Sequence, residues 1–228
     1  MKKTIFLEGL ISLKKEIFPS EKSTFLKGAI LPPLLRFAIP IILSLFLQAL
    51  YGACDLWAVG TFGSSYDMSA VSTSSQVMLI LNGFMTGIAT GTTVLLGIKY
   101  GEKNYREARE VFAGTFWIIA ILSIIITFIL VNFSKDISIL ANAPEKSLSQ
   151  TTSYLKICGM GTIFILSYNG ISGIFRGVGN SFLPLIFVVI ACISNIIGDI
   201  ILIEFFHLGA TGAAISTVFA QALSVILY

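Results

Sequence analysis

Long apolar runs divide the chain, and they alternate with short polar segments. A helix that crosses the hydrocarbon core of a bilayer needs about 20 mostly apolar residues. Six stretches meet this requirement, at residues 34–57, 68–98, 112–133, 151–175, 182–206 and 209–228. The pattern predicts an all-α fold, namely a polytopic membrane protein whose six transmembrane helices form a bundle over residues 31–228.

The composition supports the same fold class. Of the 228 residues, 55% are hydrophobic and 12% are charged, whereas soluble domains carry about 25% charged residues. These values exclude a soluble enzyme, a nucleic-acid-binding protein and a disordered chain, and they make the lipid bilayer the expected surroundings. The three cysteines, Cys54, Cys158 and Cys192, all lie in apolar runs. They indicate neither a disulfide framework nor a metal site, and no cofactor is expected.

Basic residues concentrate on one side of the predicted bundle. Twelve of the 15 Lys and Arg residues fall in the N-terminal segment or in the loops after the second and fourth spans. Cytoplasmic loops carry such an excess, so the N-terminus is predicted to be cytoplasmic in a multi-pass protein of the plasma (inner) membrane. Within the cytoplasmic segment 1–30, residues 4–18 predict a helix that lies on the inner leaflet.

Two carboxylates lie well inside predicted spans, Asp55 in the first and Asp199 in the fifth. Ionisable side chains are costly in a bilayer, so they normally face a bundle interior or a water-filled cavity. Both belong to polar stripes at helical spacing. The stripes are Ser44, Gln48, Tyr51 and Asp55 in the first span, Tyr154 and Cys158 in the fourth, Cys192, Asn195 and Asp199 in the fifth, and Thr217, Gln221 and Ser224 in the sixth.

Counting the helical rise places these stripes at one depth. Asp55 lies about 28 Å, and Asp199 about 22 Å, from the inner start of its helix at 1.5 Å per residue. Tyr154 and Thr217, on helices that run inward, lie roughly 5 and 12 Å from their outer ends. All four fall in the outer half of a core about 30 Å thick. We therefore expect the two aspartates to share one enclosed, wet cavity, and not to serve merely as polar contacts between helices.

Glycines and prolines predict how the helices are built and packed. Gly83, Gly87 and Gly91 form a GxxxGxxxG run in the second span, which predicts the close approach of another helix. Pro40 and Pro184 are expected near the starts of their helices, where a missing N–H group costs least. The last span reaches the C-terminus without a polar tail or a basic flank, as if the chain were cut off there.

Four segments follow one another in an order that is specific to one family. They are RFAIPIILSLFLQALYGACDLWAVGTFG, GIATGTTVLLGIKYGEKN, FRGVGNSFLP and SNIIGDIILIEFFHLGATGAAISTVFAQ. Together they cover the chain from about residue 30 to its end, and this part resembles the N-terminal six-helix lobe of a MATE-type (multidrug and toxic compound extrusion) transporter of the MOP flippase superfamily.

The resemblance implies a site for a coupling cation, H⁺ or Na⁺, near the outer face. Its binding residues would be Asp55, Gln48, Tyr154, Asn195, Asp199 and Thr217. A Na⁺ ion would be ligated by the side chains of Asp55, Asn195, Asp199 and Thr217. The implied protein is a secondary active transporter and not an enzyme. It is a cation-coupled antiporter that exports organic, cationic amphiphilic compounds.

One departure from the family is that its members have twelve helices in two lobes, with the substrate cavity between them. This sequence predicts one lobe, so the resemblance implies a second one, either a missing C-terminal half or another copy of the chain.

Two other functions have a basis in the sequence. A lipid or polysaccharide-precursor flippase of the same superfamily tends to carry basic cavity residues for phosphate, whereas these spans contain acids. An intramembrane aspartyl protease also needs two membrane aspartates, but it needs the motif Gly-x-Gly-Asp. Here Asp199 follows Ile196, Ile197 and Gly198, so the sequence favours the antiporter.

Overall fold

The computed structural model of the protein describes residues 31–228. The predicted cytoplasmic segment 1–30, with the interfacial helix at 4–18, lies outside the described residues. Over the described range the chain forms helices and turns, with no strand. The α-helices are α1 (Leu31–Phe62), α2 (Ser65–Gly101), α3 (Tyr105–Asn132), α4 (Ser134–Leu140), α5 (Leu148–Met160), α6 (Thr162–Gly177), α7 (Phe182–Asp199) and α8 (Gly209–Leu227). A 3₁₀ turn, Glu145–Ser147, precedes α5, and a π-helical turn, Ile200–Phe205, follows α7.

The helices have the length and the surface of membrane spans. In the described chain five are long and apolar enough to cross a bilayer, and the bent pair α5–α6 makes a sixth if it is one span. The outward faces carry large apolar side chains such as Trp117, Ile124 and Phe128, which are 64%, 71% and 62% exposed. Lipid solvates such a surface, and helices satisfy their own backbone groups there. The predicted all-α, multi-pass membrane fold is confirmed.

The fourth predicted span differs from the expectation of one helix over 151–175. The structure has two helices, α5 and α6, which meet at Gly161 with a bend of 54°. Glycines allow neighbouring helices to come close at this bend. A Cβ atom on Gly161 would lie 2.4 Å from Val218 of α8, and one on Gly159 would lie 2.6 Å from Leu130 of α3. The bend therefore lets one span pack against two neighbours at once.

The fifth predicted span, 182–206, also departs from a regular helix. The α-helical pattern ends at Asp199, and residues Ile200–Phe205 form a π-helical turn. The chain then reverses, with the N–H of Leu208 donating to the carbonyl of Leu202 at 3.0 Å. Such wider turns occur frequently at functional sites. Asp199 is thus the last residue of α7, at the point where the backbone hydrogen bonding changes.

Consecutive spans alternate in direction, so the bundle has two ends. The upper end holds the α1–α2 corner, α4 and the π-helical turn, and the lower end holds the α2–α3 and α6–α7 loops. Distant parts of the chain meet at each end. Ser69 Oγ lies 3.3 Å from Ser147 Oγ at the upper end, and Thr93 Oγ1 donates to the carbonyl of Gly173 at 2.8 Å towards the lower end.

Small buried side chains pack the upper part of the bundle. This upper cluster consists of Ala58, Val59, Ala70, Val71, Tyr154, Cys158, Ile203, Ala210, Ala213 and Ala214. It joins α1, α2, α5, the π-helical turn and α8. Because Ala58 and Ile203 follow Asp55 and Asp199 by about one turn, the cluster separates these aspartates from the upper surface.

The glycine run of α2 does not pack as the sequence predicts. In the described lobe Gly83, Gly87 and Gly91 are exposed, and a Cβ atom on any of them would meet nothing within 4 Å. The close approach is made by α6 instead. A Cβ atom on Gly173 would lie 2.7 Å from the carbonyl oxygen of Ala89 on the opposite face of α2.

Pro40 lies inside a helix, contrary to the prediction. Because α1 already begins at Leu31, Pro40 is in its interior, where it cannot donate a backbone hydrogen bond to the carbonyl one turn earlier. Pro184 agrees with the prediction, since it lies in the first turn of α7.

Candidate functional site

Asp55 of α1 and Asp199 of α7 meet in the interior of the upper half of the bundle. They are 4% and 1% exposed, and they accept hydrogen bonds from two adjacent residues of α8, Thr217 and Ser216. We call them the carboxylate pair. Keeping two neighbouring buried carboxylates ionised costs free energy unless positive charge or hydrogen-bond donors compensate them.

Helix α8 supplies hydroxyl donors to both members of the pair. Thr217 Oγ1 donates to Asp55 Oδ2 at 3.3 Å. Ser216 Oγ donates to Asp199 Oδ1 and receives a hydrogen bond from Asn195 Nδ2 at 3.1 Å. Asn195 lies one turn before Asp199 on α7 and is fully buried. Two adjacent residues of α8 therefore hold the pair, and Asn195 of α7 in turn holds Ser216.

Three oxygen atoms around the pair are buried and have no hydrogen-bond partner among residues 31–228. They are Asp55 Oδ1, Asp199 Oδ2 and Asn195 Oδ1. Leaving a buried acceptor unsatisfied costs about 1–3 kcal/mol, and more for a charged group. A proton on one carboxylate would satisfy part of this set. A small hard cation that prefers oxygen ligands would satisfy more of it, with Thr217 Oγ1 as a further oxygen.

The basic residues of the surrounding helices do not neutralise the pair. Within their described ranges, α7 and α8 contain no Lys or Arg, and Arg36 of α1 and Lys156 of α5 are exposed. No group of three His, Cys, Asp or Glu side chains that could hold a metal ion occurs in the described residues. The arrangement is therefore an anionic, oxygen-rich site without an internal counter-ion.

Tyrosines from two helices surround the pair. Tyr154 of α5 is 3% exposed and packs in the upper cluster with Ala58, which follows Asp55 by three residues on α1. The hydroxyl of Tyr51 is buried and has no hydrogen-bond partner in the described part of the chain. Five predicted site residues thus lie together: Asp55, Tyr154, Asn195, Asp199 and Thr217.

Gln48 lies apart from this group. It precedes Asp55 by seven residues, about 10 Å of helix rise towards the lower end. There it lines a narrow space that we call the lower cleft. The cleft is formed by Leu47, Gln48, Tyr51, Tyr168, Val188, Ala191, Cys192 and Gln221. Its empty volume is about 260 Å³, including its open mouth. Tyr51 borders both the cleft and the carboxylate pair.

Ser216 was not predicted from the sequence. Its hydroxyl is fully enclosed and bonds to Asp199, yet it lies 100° around α8 from the stripe of Thr217, Gln221 and Ser224. The available signal was the pair of adjacent hydroxyl residues, Ser216 and Thr217, in the middle of α8. The stripe periodicity identified only one of them.

Comparisons with known proteins agree with this architecture. The profile of the MatE family matches residues 40–201. The multidrug export protein MepA of Staphylococcus saprophyticus is 26% identical over 219 residues, which are 94% of this chain and 46% of that protein. The probable multidrug resistance protein YpnP of Bacillus subtilis is 27% identical over 202 residues, which are 88% of this chain and 45% of that protein. The chain spans about half the length of the curated relatives it matches.

Solved structures show the same fold. A MOP superfamily transporter from Pyrococcus furiosus superposes with a TM-score of 0.80 at 22% identity, over 86% of this chain and 43% of that one. A multidrug resistance MATE family transporter in an outward-facing conformation gives the same values. The fold is one lobe of the MATE architecture, as the sequence predicts. Since the family profile covers well over half of its residues, the chain belongs to the MatE family, whose members are secondary transporters and not enzymes.

Proposed function

We propose that this chain is the cation-binding lobe of an antiporter that exports organic, cationic amphiphilic compounds in exchange for H⁺ or Na⁺. One observation carries the proposal. The carboxylate pair is buried, one oxygen of each carboxylate and Asn195 Oδ1 have no hydrogen-bond partner, and no basic side chain of residues 31–228 compensates the pair. Binding of a cation stabilises a site of this kind, and release of the cation then costs free energy.

The orientation predicted from the basic residues gives the site a place in the membrane. With the N-terminus in the cytoplasm of a plasma-membrane protein, the upper end of the bundle faces outward. The carboxylate pair then lies in the outer half of the bilayer, and the lower cleft lies nearer its centre.

The substrate is proposed to bind between this lobe and a second one. The lower cleft, at about 260 Å³ with its mouth included, lies below the range of about 300–1,000 Å³ that encloses drug-sized ligands. A second lobe, either a C-terminal half or another copy, would supply the opposite wall. The exposed glycines of α2, with Thr86 and Thr90 beside them, form a small and polar face suited to that pathway.

The acidic character of the site favours cationic cargo over lipid-linked phosphates. A flippase for phosphate-bearing precursors needs basic groups in its cavity. The residues that line the lower cleft are aromatic, aliphatic, amide and thiol side chains, with no Lys or Arg among them. Aromatic faces and amides suit organic cations.

Coupling requires that the occupied and the empty pair favour different helix arrangements, because a ligand shifts only an equilibrium whose states it binds differently. We propose that a cation arriving from outside changes the packing of α1 against α7 and α8. Helix α1 then bends near its polar stripe, and the bound organic compound is expelled outward.

The test replaces each carboxylate separately in the transporter that contains this lobe. Asp55→Asn and Asp199→Asn are each expected to abolish cation-driven export of a fluorescent organic cation, while membrane insertion stays normal. The matched control is Glu204→Gln, which removes an exposed acid from the adjacent π-helical turn and is expected to leave export unchanged. Full export and full drug resistance in both aspartate variants would refute the proposal.

A further inference from the structure

Three buried polar atoms of the lower cleft have no hydrogen-bond partner among residues 31–228. They are the hydroxyl oxygens of Tyr51 on α1 and Tyr168 on α6, and the side-chain carbonyl oxygen of Gln221 on α8. Tyr168 is only 4% exposed, so its hydroxyl bonds neither to bulk water nor to another side chain. Buried polar groups in folded proteins are normally hydrogen-bonded, and an exception calls for a physical explanation.

The three atoms belong to one space, although they come from three different helices. The other residues that line this space are Leu47, Gln48, Val188, Ala191 and Cys192. A mostly apolar wall with a small number of polar groups is the usual composition of a ligand site, because the polar groups fix the orientation of the ligand. The lower cleft therefore has the composition of a binding site.

Aromatic neighbours hold the ring of Tyr168 at the wall of the cleft. Its ring centroid lies 6.0 Å from that of Tyr228, and the Tyr228 ring lies 4.4 Å from Phe187 of α7. Ser172, one turn after Tyr168 on α6, is hydrogen-bonded to the Tyr228 hydroxyl at 2.6 Å. Packing thus fixes where the Tyr168 hydroxyl lies, while that hydroxyl has no partner in the described chain.

The size of the lower cleft limits its ligand to part of an organic molecule. Its empty volume of about 260 Å³, with the mouth included, is below the range of about 300–1,000 Å³ that encloses drug-sized ligands. The cleft can therefore take the head group of a larger compound, and the body of that compound would extend through the mouth.

The chemistry of the lining favours a positively charged nitrogen that carries hydrogen atoms. No Asp, Glu, Lys, Arg or His lines the cleft, and the faces of two tyrosine rings attract cations. A tyrosine hydroxyl accepts and donates hydrogen bonds, whereas an amide oxygen only accepts them. The three unpartnered oxygens are thus suited to accept hydrogen bonds from the N–H groups of a protonated amine.

We propose that the lower cleft is a subsite for the charged head group of the cargo, where Tyr51, Tyr168 and Gln221 select protonated amines over quaternary ammonium compounds. This inference rests on the proposed export of organic cations and adds the class of head group. A protonated amine donates hydrogen bonds to the unpartnered oxygens. A quaternary ammonium group has no N–H to donate, so it leaves these buried oxygens unsatisfied, which costs free energy.

The test compares two ligands that differ only in the methylation of one nitrogen. Binding of a primary arylalkylammonium ion and of its N,N,N-trimethyl analogue to the purified chain in lipid nanodiscs is measured by calorimetry at neutral pH, with empty nanodiscs as the blank. Tyr168→Phe removes one hydroxyl and keeps the ring, and Gln221→Leu removes the amide. The matched controls are Tyr66→Phe, at an exposed tyrosine of α2, and Gln150→Leu, which removes another unpartnered amide oxygen, in the first turn of α5.

We expect the unmodified chain to bind the primary amine about tenfold more tightly than the trimethyl analogue, because only the amine satisfies the buried oxygens. Tyr168→Phe and Gln221→Leu should each lower this ratio to about threefold or less. They should do so by weakening the binding of the primary amine and not that of the analogue. The two control variants should leave the ratio unchanged.

Three results would overturn the inference. The first is an unmodified chain that binds the two ligands equally, or binds the analogue more tightly. The second is binding of neither ligand above the blank, and the third is a loss that affects both ligands by the same factor in Tyr168→Phe and Gln221→Leu, as a distorted cleft would cause. All three leave the exchange of a cation for an organic compound standing. Failure of the proposed function itself would instead appear as unchanged export in Asp55→Asn and Asp199→Asn.

Discussion

The two aspartates at the core of the lobe are important because they are buried away from water. A carboxylate removed from water needs compensation worth several kcal/mol. Asp55 and Asp199 receive it only in part, from Thr217 and Ser216. In the proposed function, the remaining deficit drives the binding of a cation, so side chains that would destabilise an ordinary core would give this lobe its chemistry.

A third aspartate, Asp67, has the opposite role at the upper end. Its carboxylate accepts hydrogen bonds from the backbone N–H of Ser64 at 3.1 Å, the hydroxyl of Ser64 at 2.6 Å and the N–H of Ala210 at 3.1 Å. It thus caps its own helix α2 and ties the start of α8 to the α1–α2 corner. Gly209, with φ +50°, passes so close that a Cβ atom there would overlap the carboxylate.

Asp67→Ala should lower the free energy of unfolding by about 2 kcal/mol, because it removes a helix cap and a charge-assisted hydrogen bond between helices. Thermal unfolding of the purified protein in detergent measures this loss. Asp136→Ala, which removes an exposed acid from the first turn of α4, is the control. Equal melting temperatures for the two variants would contradict the bridging role of Asp67.

Sequence reasoning identified some of these residues and not others, for physical reasons. Asp55 and Asp199 stand out because ionisable groups inside apolar runs are rare, and counting the helical rise brings them to one depth. Ser216 and Asp67 act through tertiary contacts across the α7–α8 and α2–α8 boundaries. No periodicity within one helix shows such contacts. Gln48 shares a stripe with Asp55, but the helix rise over the seven residues between them keeps Gln48 away from the carboxylate pair.

Helix packing in this lobe depends on a few close contacts of backbone with backbone. Along the α2–α6 boundary, Gly173 fits against the carbonyl of Ala89, and Gly177 against Leu96. Thr93 bonds across the same boundary to the Gly173 carbonyl at 2.8 Å. Small residues have this effect in membranes because association there relies on packing and hydrogen bonds.

Gly173→Ala should therefore destabilise the lobe by about 1–3 kcal/mol, since the added methyl group cannot be accommodated without separating the two backbones. Gly87→Ala makes the same change on the open face of α2, where nothing lies within 4 Å, and should not lower stability. Thermal unfolding of both variants checks this pair. A melting temperature of Gly173→Ala equal to that of Gly87→Ala would show that the α2–α6 contact is not tight.

The apolar runs were enough to predict the spans as elements, but not their interruptions. The break at Gly161 coincides with close contacts of the α5–α6 pair with Leu130 and Val218 of two other helices, and such tertiary contacts leave no mark in an apolar run. The GxxxGxxxG run of α2 misled for a related reason. The pattern indicates a helix face that carries only small side chains, and in this lobe no other helix packs against that face.

The lobe as a whole is asymmetric along the membrane normal. Its upper part is filled by the small side chains of the upper cluster, and the carboxylate pair lies just below them. The lower cleft and the exposed glycines and threonines of α2 lie further towards the lower end. This arrangement supports the proposal that a cation binds inside the lobe and that the organic cargo binds at a surface shared with a second lobe.

The most direct measurement of the central claim is cation binding by the purified protein in four forms. These are the unmodified chain, Asp55→Asn, Asp199→Asn and the double variant, with H⁺ uptake followed by pH titration and Na⁺ binding by calorimetry. If the two carboxylates form one site, each single variant loses the bound cation and the double variant loses no more than either. Single variants that bind as the unmodified chain does, or losses that add as for two separate sites, would contradict the account.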